Sequence, residues 1–427
     1  STYNEILYRT EMYKIAIIGL GYVGLPLAKL FASKYTVIGF DIDQELVTKL
    51  NLAEETFVSI NRLFNIKEEA KGGLFLTSNQ NDLKGCNIFI VTVPTPIDNS
   101  NNPDLSPLLK ASETIGYVIK KDDIVIYEST VYPGATEEDC IPVIEKISGL
   151  KFNKDFYAGY SPERVSPGDK SYTIEKIKKI TSGSTPEAAK IIDNLYTSVI
   201  TAGTYLAPSI KVAEAAKVIE NAQRDINIAF INETKKILDA LNIDTEEVLA
   251  AAATKWNFMN LKPGLVGGHC IGVDPYYLVH RAEKSGYIPE LILSARKTNE
   301  SMSGYVAHQV LQLIESKGLR TNYSKVLILG FTFKANYSDI RNTKVKDIIS
   351  IFNDRKIVTT VYDPYADPTA VKKEYNIDIK TKLPQGKYNA IIIAVNHSDF
   401  EDMDLGRYLE KDGFIYSLQQ SYSTINR

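Results

Sequence analysis

"KIAIIGLGYVGLPLAKLF", residues 14–31, carries the reading of the fold. Residues 13–18 form an apolar run of strand length, and a helical pattern starts directly after the glycines. Gly19, Gly21 and Gly24 spell G-x-G-x-x-G at that junction, with Tyr22 and Val23 between them. The three glycines meet three physical needs, namely a tight turn, close approach of a pyrophosphate to backbone N–H groups, and close packing of helix against strand. The N–H groups of the first helical turn favour phosphate charge. A second strand, "TVIGFDI", ends at Asp41, whose carboxylate can accept hydrogen bonds from a ribose diol. The residues that follow, "IDQE", offer no arginine for a 2′-phosphate, so the expected cofactor is NAD.

Working outward, "NIFIVTVP" and "DIVIYEST" supply further strands separated by helical patterns. Strand and helix alternate as in a doubly wound parallel sheet, which predicts an N-terminal Rossmann-type α/β domain over residues 12–205. From Pro208 to Leu241 the pattern becomes one helix without internal Gly or Pro. Val212, Ala216, Ile219, Ile226, Phe230 and Ile237 recur along it at helical spacing and predict a buried seam. Such a helix suits a connector and a subunit contact, within a central segment of residues 206–302. "SKVLILGFTFKAN", "IVTTVYDPYA" and "YNAIIIAVNHSDF" predict a second, smaller Rossmann-like α/β domain over residues 303–427.

Composition narrows the function classes. The chain of 427 residues is 44% apolar and 24% charged with a net charge of -3, which describes an ordinary globular protein with no basic stretch for nucleic acid. No apolar run approaches the roughly 20 residues that span a bilayer. The opening "STYNEILYRTEM" has no apolar signal core, so a cytoplasmic protein without a membrane partner is expected. Cys86, Cys140 and Cys270 are odd in number and far apart, which fits no disulfide framework. A zinc site using His269 and Cys270 would need further ligands, and His280, His308 and His397 show no ligand spacing, so no metal is expected.

Several polar residues call for a reason. "LVGGHCIGVDPYY", residues 265–277, sets Cys270 after Gly-Gly-His with Asp274 four residues on. By itself the cysteine could be a ligand, a nucleophile or a small buried residue, the last being the common case. Lys217 and Asn221 are four apart on the long helix, with Glu214 and Arg224 on the same stripe. A solvated helix face explains them equally well. "YSPERVSPGDK" puts Glu163 and Arg164 on a Pro- and Gly-punctuated loop. "YESTVYPG" puts Thr130 just beyond a strand's carboxyl end, where ligands of open α/β sheets collect.

"GLGYVGLPLA", "TVPTP", "ESTVYPG", "SPERVSPG", "KVAEAAKVIENAQRDINIAFINE", "GGHCIGVDPYY" and "GFTFKANYSDIRNT" occur in this order, and nearly the whole chain thereby resembles the nucleotide-sugar 6-dehydrogenases, the UDP-glucose and UDP-N-acetylhexosamine dehydrogenases. The resemblance implies an N-terminal NAD domain, a long helix at a homodimer interface and a C-terminal domain that grips UDP. It also implies a four-electron oxidation of the sugar's C6 hydroxymethyl to a carboxylate with two NAD, through a cysteine thiohemiacetal and thioester. Carried over by motif, Cys270 is the nucleophile, and Lys217 and Asn221 hold the oxyanion and position water. Asp274 and Thr130 arrange that water or relay protons, and Glu163 serves thioester hydrolysis. Pro94 and Thr95 of "TVPTP" join Thr130, the glycine turn and Arg341 around NAD. Glu163, Arg164, Lys217, Asn221, Pro263, Gly264, Gly268 and Lys334 face the UDP-sugar.

"FKAN" departs from the family's Phe-Lys-x-Asp, which removes an acid at Asn336. "SPERVSPGD" with "GGHC" resembles the N-acetylhexosamine branch, with Arg164 as a donor near the sugar's 2-substituent and His269 as a mark of that branch. The expected substrate is therefore UDP-N-acetylglucosamine or its galacto epimer, feeding polysaccharide biosynthesis, ahead of the manno epimer and UDP-glucose. Gly267 and Gly268 are expected to keep side chains away from the cysteine and the nucleotide. A short-chain dehydrogenase or epimerase would need Tyr-x-x-x-Lys. Tyr172 to Lys176 and Tyr117 to Lys121 both match, but the glycine spacing of that class is missing. A non-catalytic NAD sensor would have no use for Cys270, Lys217 and Asn221.

Overall fold

The computed structural model describes residues 12–52, 73–166, 169 and 171–421. The amino-terminal stretch read as lacking a signal core lies outside them up to residue 11, as do Pro167 and Gly168 of the "SPERVSPGD" loop. The chain divides into two compact units, one of residues 1–219 and 276–285, the other of residues 220–275 and 286–427.

The first unit is built on six parallel strands: β1 Lys14–Ile18, β2 Thr36–Phe40, β3 Gly73–Thr77, β4 Ile88–Val91, β5 Ile124–Tyr127 and β6 Tyr157–Tyr160, in the order β3-β2-β1-β4-β5-β6. Strands β4 and β5 are buried at every residue, as expected for a sheet covered on both faces. Order reverses between β1 and β4, so the crevice at the carboxyl ends of these two strands is the ligand-binding position of an open α/β sheet. A short parallel pair, β7 Lys179–Thr181 and β8 Thr204–Leu206, lies beyond β6 in sequence.

The second unit carries a four-stranded parallel sheet in the order β10-β9-β11-β12, with β9 Lys325–Leu329, β10 Val358–Tyr362, β11 Tyr388–Ile393 and β12 Leu409–Ser417. Val326, Ile328, Ala390, Ile392 and Phe414 of this sheet pack against Val306, Val310 and Ile348 of its helices. Strands β3, β6, β7, β8 and β12 were not anticipated from the sequence. The last begins with the charged "LEKD" and buries only its final four residues.

The long helix spans Ile210–Ala240, 31 residues or about 47 Å. Its predicted buried seam is overturned: Val212, Ile219, Phe230 and Ile237 are exposed. The buried stripe instead carries Ala213, Glu214, Lys217, Val218, Asp225 and Asn232, so Glu214 and Lys217 do not sit on a solvated face, whereas Arg224 does. The physical reason lies in the partners. Glu214, Asp225 and Asn232 each find several hydrogen bonds inside the protein, described below, which offsets the cost of burying them. Among the described residues no helix is long and apolar enough to cross a membrane.

Candidate active site

The glycine turn after β1 is shaped by the chain itself at two of its three glycines. Gly19 adopts φ +101°, and a Cβ there would come within 2.9 Å of the Val93 nitrogen. A Cβ on Gly24 would overlap the Gly19 carbonyl and press on Thr92 Oγ1, which donates to Gly19 O at 2.8 Å. Gly21 differs, because a Cβ there would meet no atom of the protein within 4 Å. Its lack of a side chain serves the space in front of the helix Gly24–Ala32, where a pyrophosphate would lie on the first N–H groups. Asp41, half-buried at the end of β2, accepts from Leu20 N at 2.9 Å and from Asp43 N at 2.9 Å, which aims the carboxylate at that turn. The residues present therefore fit a dinucleotide. Tyr22 is exposed, Val23 half-buried, and Pro94 and Thr95 follow β4 on the other side of the crevice.

Thr130 stands three residues beyond β5, as expected. Glu163 and Arg164 occupy the loop after β6. The Glu163 carboxylate accepts from the Val165 N–H, and Arg164 Nη1 donates to Lys178 O at 2.7 Å. Beneath this loop lies an ion pair that the sequence reading missed. Lys179 Nζ reaches Glu128 Oε1 at 2.7 Å and the carbonyls of Ser161 and Pro162 at 3.3 and 3.0 Å, and Tyr196 OH donates to Glu128 Oε2 at 2.5 Å. All three side chains are buried. Glu214 is equally enclosed, accepting from Gly134 N, Thr136 N and Thr136 Oγ1 at 3.0, 3.1 and 2.9 Å. It ties the long helix, one turn before the buried Lys217, to the segment that follows Thr130. Burial pushes its carboxyl up to about 7.

In the second unit, Cys270 is the half-buried cysteine. Cys86 and Cys140 in the first are fully buried, with thiols raised by burial, the former to about 11. The Cys270 carbonyl accepts from Val273 N and Asp274 N at 3.2 and 2.8 Å, a turn that leads into the helix Asp274–Lys284. Asp274 is buried, and its Oδ2 receives Asn221 Nδ2 at 2.5 Å. Asn221 and Asp274, which the resemblance gives different roles, are thus joined directly. His269 is held neutral, its pKa lowered to about 4 by burial and by the neighbouring Arg341.

The glycines before the cysteine are required by the packing of the protein itself. A Cβ on Gly267 would lie 2.6 Å from Asn342 O, and one on Gly268, at φ +81°, would strike the Phe333 ring. They admit the loop after β9. That loop is latched to them: Gly268 N donates to Arg341 O at 3.1 Å and Asn342 Nδ2 to Gly268 O at 3.2 Å. Arg341 is held by Asp339 at 2.6–3.0 Å. Asn336, where the family pattern has an acid, adopts φ +59° and accepts from Ser398 N at 2.8 Å, a turn position asparagine tolerates well. A crevice of about 310 Å³ opens beyond β9 and β11, where strand order switches, lined among others by Gly264, Gly267, Phe333, Asn396 and Gln419. Lys334 follows Phe333 and is half-buried, and the buried Pro263 lines a neighbouring cavity of about 550 Å³. Among the described residues no group of three or more His, Cys, Asp or Glu side chains could hold a metal ion.

Comparison with known proteins agrees with this geometry. Residues 13–200 match the NAD binding domain of the UDP-glucose/GDP-mannose dehydrogenase family, residues 211–301 its central domain and residues 327–422 its UDP binding domain. The chain is 55% identical over 390 residues to UDP-N-acetyl-D-glucosamine 6-dehydrogenase of Pseudomonas aeruginosa, covering 91% of this chain and 92% of that one. It is 51% identical to the Salmonella typhi protein of the same name, covering 93% of each. Among solved structures, UDP-D-ManNAc dehydrogenase from Pyrococcus horikoshii superposes with a TM-score of 0.83 at 30% identity over 95% of each chain. With its cofactor turn, its cysteine loop and three consecutive domain matches in hand, the chain belongs to the UDP-glucose/GDP-mannose dehydrogenase family and is an NAD-dependent nucleotide-sugar dehydrogenase.

Proposed function

We propose that the protein oxidises the C6 hydroxymethyl of UDP-N-acetylglucosamine, or of its galacto epimer, to the carboxylate. One observation carries the chemical part: the half-buried Cys270 heads a turn whose Asp274 carboxylate is engaged by Asn221. A cysteine whose turn leads into a fixed carboxylate–amide pair suits covalent capture followed by hydrolysis. The substrate part is supported by the two relatives above 50% identity named for UDP-N-acetyl-D-glucosamine. Relatives named for the manno epimer stand at 33% and below.

Gly19, Gly21, Gly24 and Asp41 would hold NAD, with Tyr22, Val23, Pro94, Thr95, Thr130 and Arg341 around it. Bound NAD supplies the hydride acceptor for each of the two oxidations. The Cys270 thiolate adds to the C6 aldehyde carbon, and the carbonyl oxygen takes a proton as the thiohemiacetal forms. Lys217 and Asn221 stabilise the oxyanion. Oxidation of the thiohemiacetal leaves a thioester, which water cleaves to carboxylate and free thiol. Glu163, Asp274 and Thr130 orient that water and carry its protons. Pro263, Gly264, Gly268 and Lys334 contact the UDP moiety, and Arg164 the sugar's 2-acetamido group. The apolar residues Val212, Ile219, Phe230 and Ile237, exposed on the long helix, support a homodimer through that face. The segments 12–205, 206–302 and 303–427 then serve as cofactor, connector and UDP-binding parts, in a cytoplasmic enzyme that feeds polysaccharide synthesis.

The test is stoichiometric. Purified protein with NAD and UDP-N-acetylglucosamine, UDP-N-acetylgalactosamine, UDP-N-acetylmannosamine or UDP-glucose should yield two NADH per carboxylate, fastest with one of the first two. A ratio of one, or Cys270→Ser retaining full carboxylate formation, refutes the mechanism. A faster rate with UDP-glucose or the manno sugar refutes the substrate.

A further inference from the structure

The segment bearing Cys270 has little regular structure of its own from residue 257 to residue 273, yet a thioester chemistry needs its sulfur held to a fraction of an ångström. What holds the segment is a buried polar network that no motif assigned. Arg296, on the helix Glu290–Glu300, is only 1% exposed, the largest side chain so enclosed among the described residues. Its Nε donates to Asp225 Oδ2 at 2.7 Å, its Nη2 binds Asp225 Oδ1, and its Nη1 donates to Gly272 O at 3.0 Å. Asn299 Nδ2 reaches Asp225 Oδ1 at 2.7 Å and Asn232 Nδ2 reaches Asn299 Oδ1 at 2.9 Å. Asn232 then grips Gly264 on both sides, accepting its N–H at 2.9 Å and donating to its carbonyl at 3.0 Å.

A continuous network thus anchors the cysteine loop at Gly264 and at Gly272, six residues before and two after Cys270. Gly272 is part of the anchor: a Cβ there would stand 3.3 Å from Arg296 Nη1, which its bonds to Asp225 keep from yielding. We infer that Arg296, fixed by Asp225, is a positioning residue that sets Cys270 to capture the aldehyde before it escapes. A buried ion pair is by itself weak evidence of stabilisation. Here the guanidinium fork gives something a packed apolar residue could not, a directional grip on a loop carbonyl two residues from the sulfur. The inference rests on the reading of Cys270 as nucleophile.

The partition of the aldehyde tests it, because that ratio does not depend on how much enzyme is folded. Arg296→Lys keeps the charge but cannot hold Asp225 and Gly272 O with one ammonium. Gly272→Ala leaves the Arg296–Asp225 pair intact and pushes on the same contact from the loop side; its φ lies outside the left-handed region, so alanine suits the backbone. Each variant is run with NAD, UDP-N-acetylglucosamine and semicarbazide, which condenses with free aldehyde to a semicarbazone and water. The expected result is more than two NADH per carboxylate, semicarbazone about tenfold above the parent, and carboxylate formation slowed by about tenfold or more, with KM for NAD unchanged. Two NADH per carboxylate and parent-level semicarbazone in the variants, however slow they are, overturns the inference. Should Arg296→Lys fail to fold, Gly272→Ala decides alone. If the parent itself departs from two NADH, or Cys270→Ser still forms carboxylate, the nucleophile reading is what fails.

Discussion

The two parallel sheets begin with the same device and use it differently. Gly19, at φ +101°, donates its N–H to Phe40 O at 2.9 Å, and Gly330, at φ +94°, donates to Tyr362 O at 2.8 Å. An acid ends the next strand in each case. Asp41 accepts from Leu20 N, and Asp363 accepts from Phe331 N and Thr332 N. There the likeness stops. After Gly19 a helix starts within five residues, Gly21 faces open space and Asp41 stays half-exposed. After Gly330 the next helix waits until Val345, and the intervening loop packs on Gly267 and Gly268. Asp363 is fully enclosed, its carboxylate taken up by four backbone N–H groups and by His397 Nε2 at 2.9 Å. The first frame leaves its acid and its N–H groups open, as the proposed ribose and pyrophosphate contacts require. The second has closed its acid to any ligand and spends its turn on holding the cysteine loop.

The largest test of this contrast is Asp363→Asn. Burial alone would raise the Asp363 carboxyl, but His397 and the N–H groups outweigh it and hold the pKa below the usual range. Replacing one partner of such a buried pair should cost about 3–5 kcal/mol in urea unfolding, while NAD affinity of the folded fraction stays at the parent value. Weaker NAD binding with unchanged stability would erase the distinction between the frames. Gly21→Val should do the reverse. No protein atom lies within 4 Å of a Cβ placed there, so the melting temperature should hold. The lost charge-assisted contacts should weaken NAD binding on the order of a hundredfold in a calorimetric titration. A destabilised variant with normal affinity would show that Gly21 serves the fold.

The smallest effect concerns a third enclosed carboxylate. Glu214 also accepts three hydrogen bonds, but burial prevails over them and its carboxyl rises to about 7. In the unfolded chain it would titrate near 4.3, so the stability it contributes is full below about pH 4.3 and is lost as pH rises through about 7. Glu214→Gln cannot ionise. Its melting temperature relative to the parent should climb by a few degrees between about pH 5 and pH 8. A difference that is flat or falls across that range would mean that hydrogen bonds, as at Asp363, have overcome desolvation.

Much of the first frame was legible because its signals are local: Gly19, Gly21, Gly24 and Asp41 sit within 23 residues and their spacing is set by backbone geometry. The second frame was legible only as strands, since Gly330 stands without companion glycines and Asp363 in "VYDPYA" reads as a turn residue. The long helix shows the limit most plainly. Its extent, Ile210–Ala240, agrees with the predicted 208–241 to within two residues, because helix length depends on what is absent, namely Gly and Pro. Its buried face was assigned wrongly, because periodicity assumes that apolar residues turn inward. Here Glu214, Asp225 and Asn232 turn inward to partners 32 to 80 residues distant in sequence.

By itself, then, the sequence determined the α/β class, the cofactor turn and the order of motifs that places the chain in its family. All of these depend on neighbours in the chain or on residue type. Only the tertiary structure decided which carboxylates are enclosed, why Gly267 and Gly268 must be glycine, and what fixes the cysteine loop. Those answers depend on Asn342, Phe333, Asp225 and Arg296, whose partners come from other elements, and a hydrogen bond's donor and acceptor leave no spacing rule in the chain when they meet only on folding.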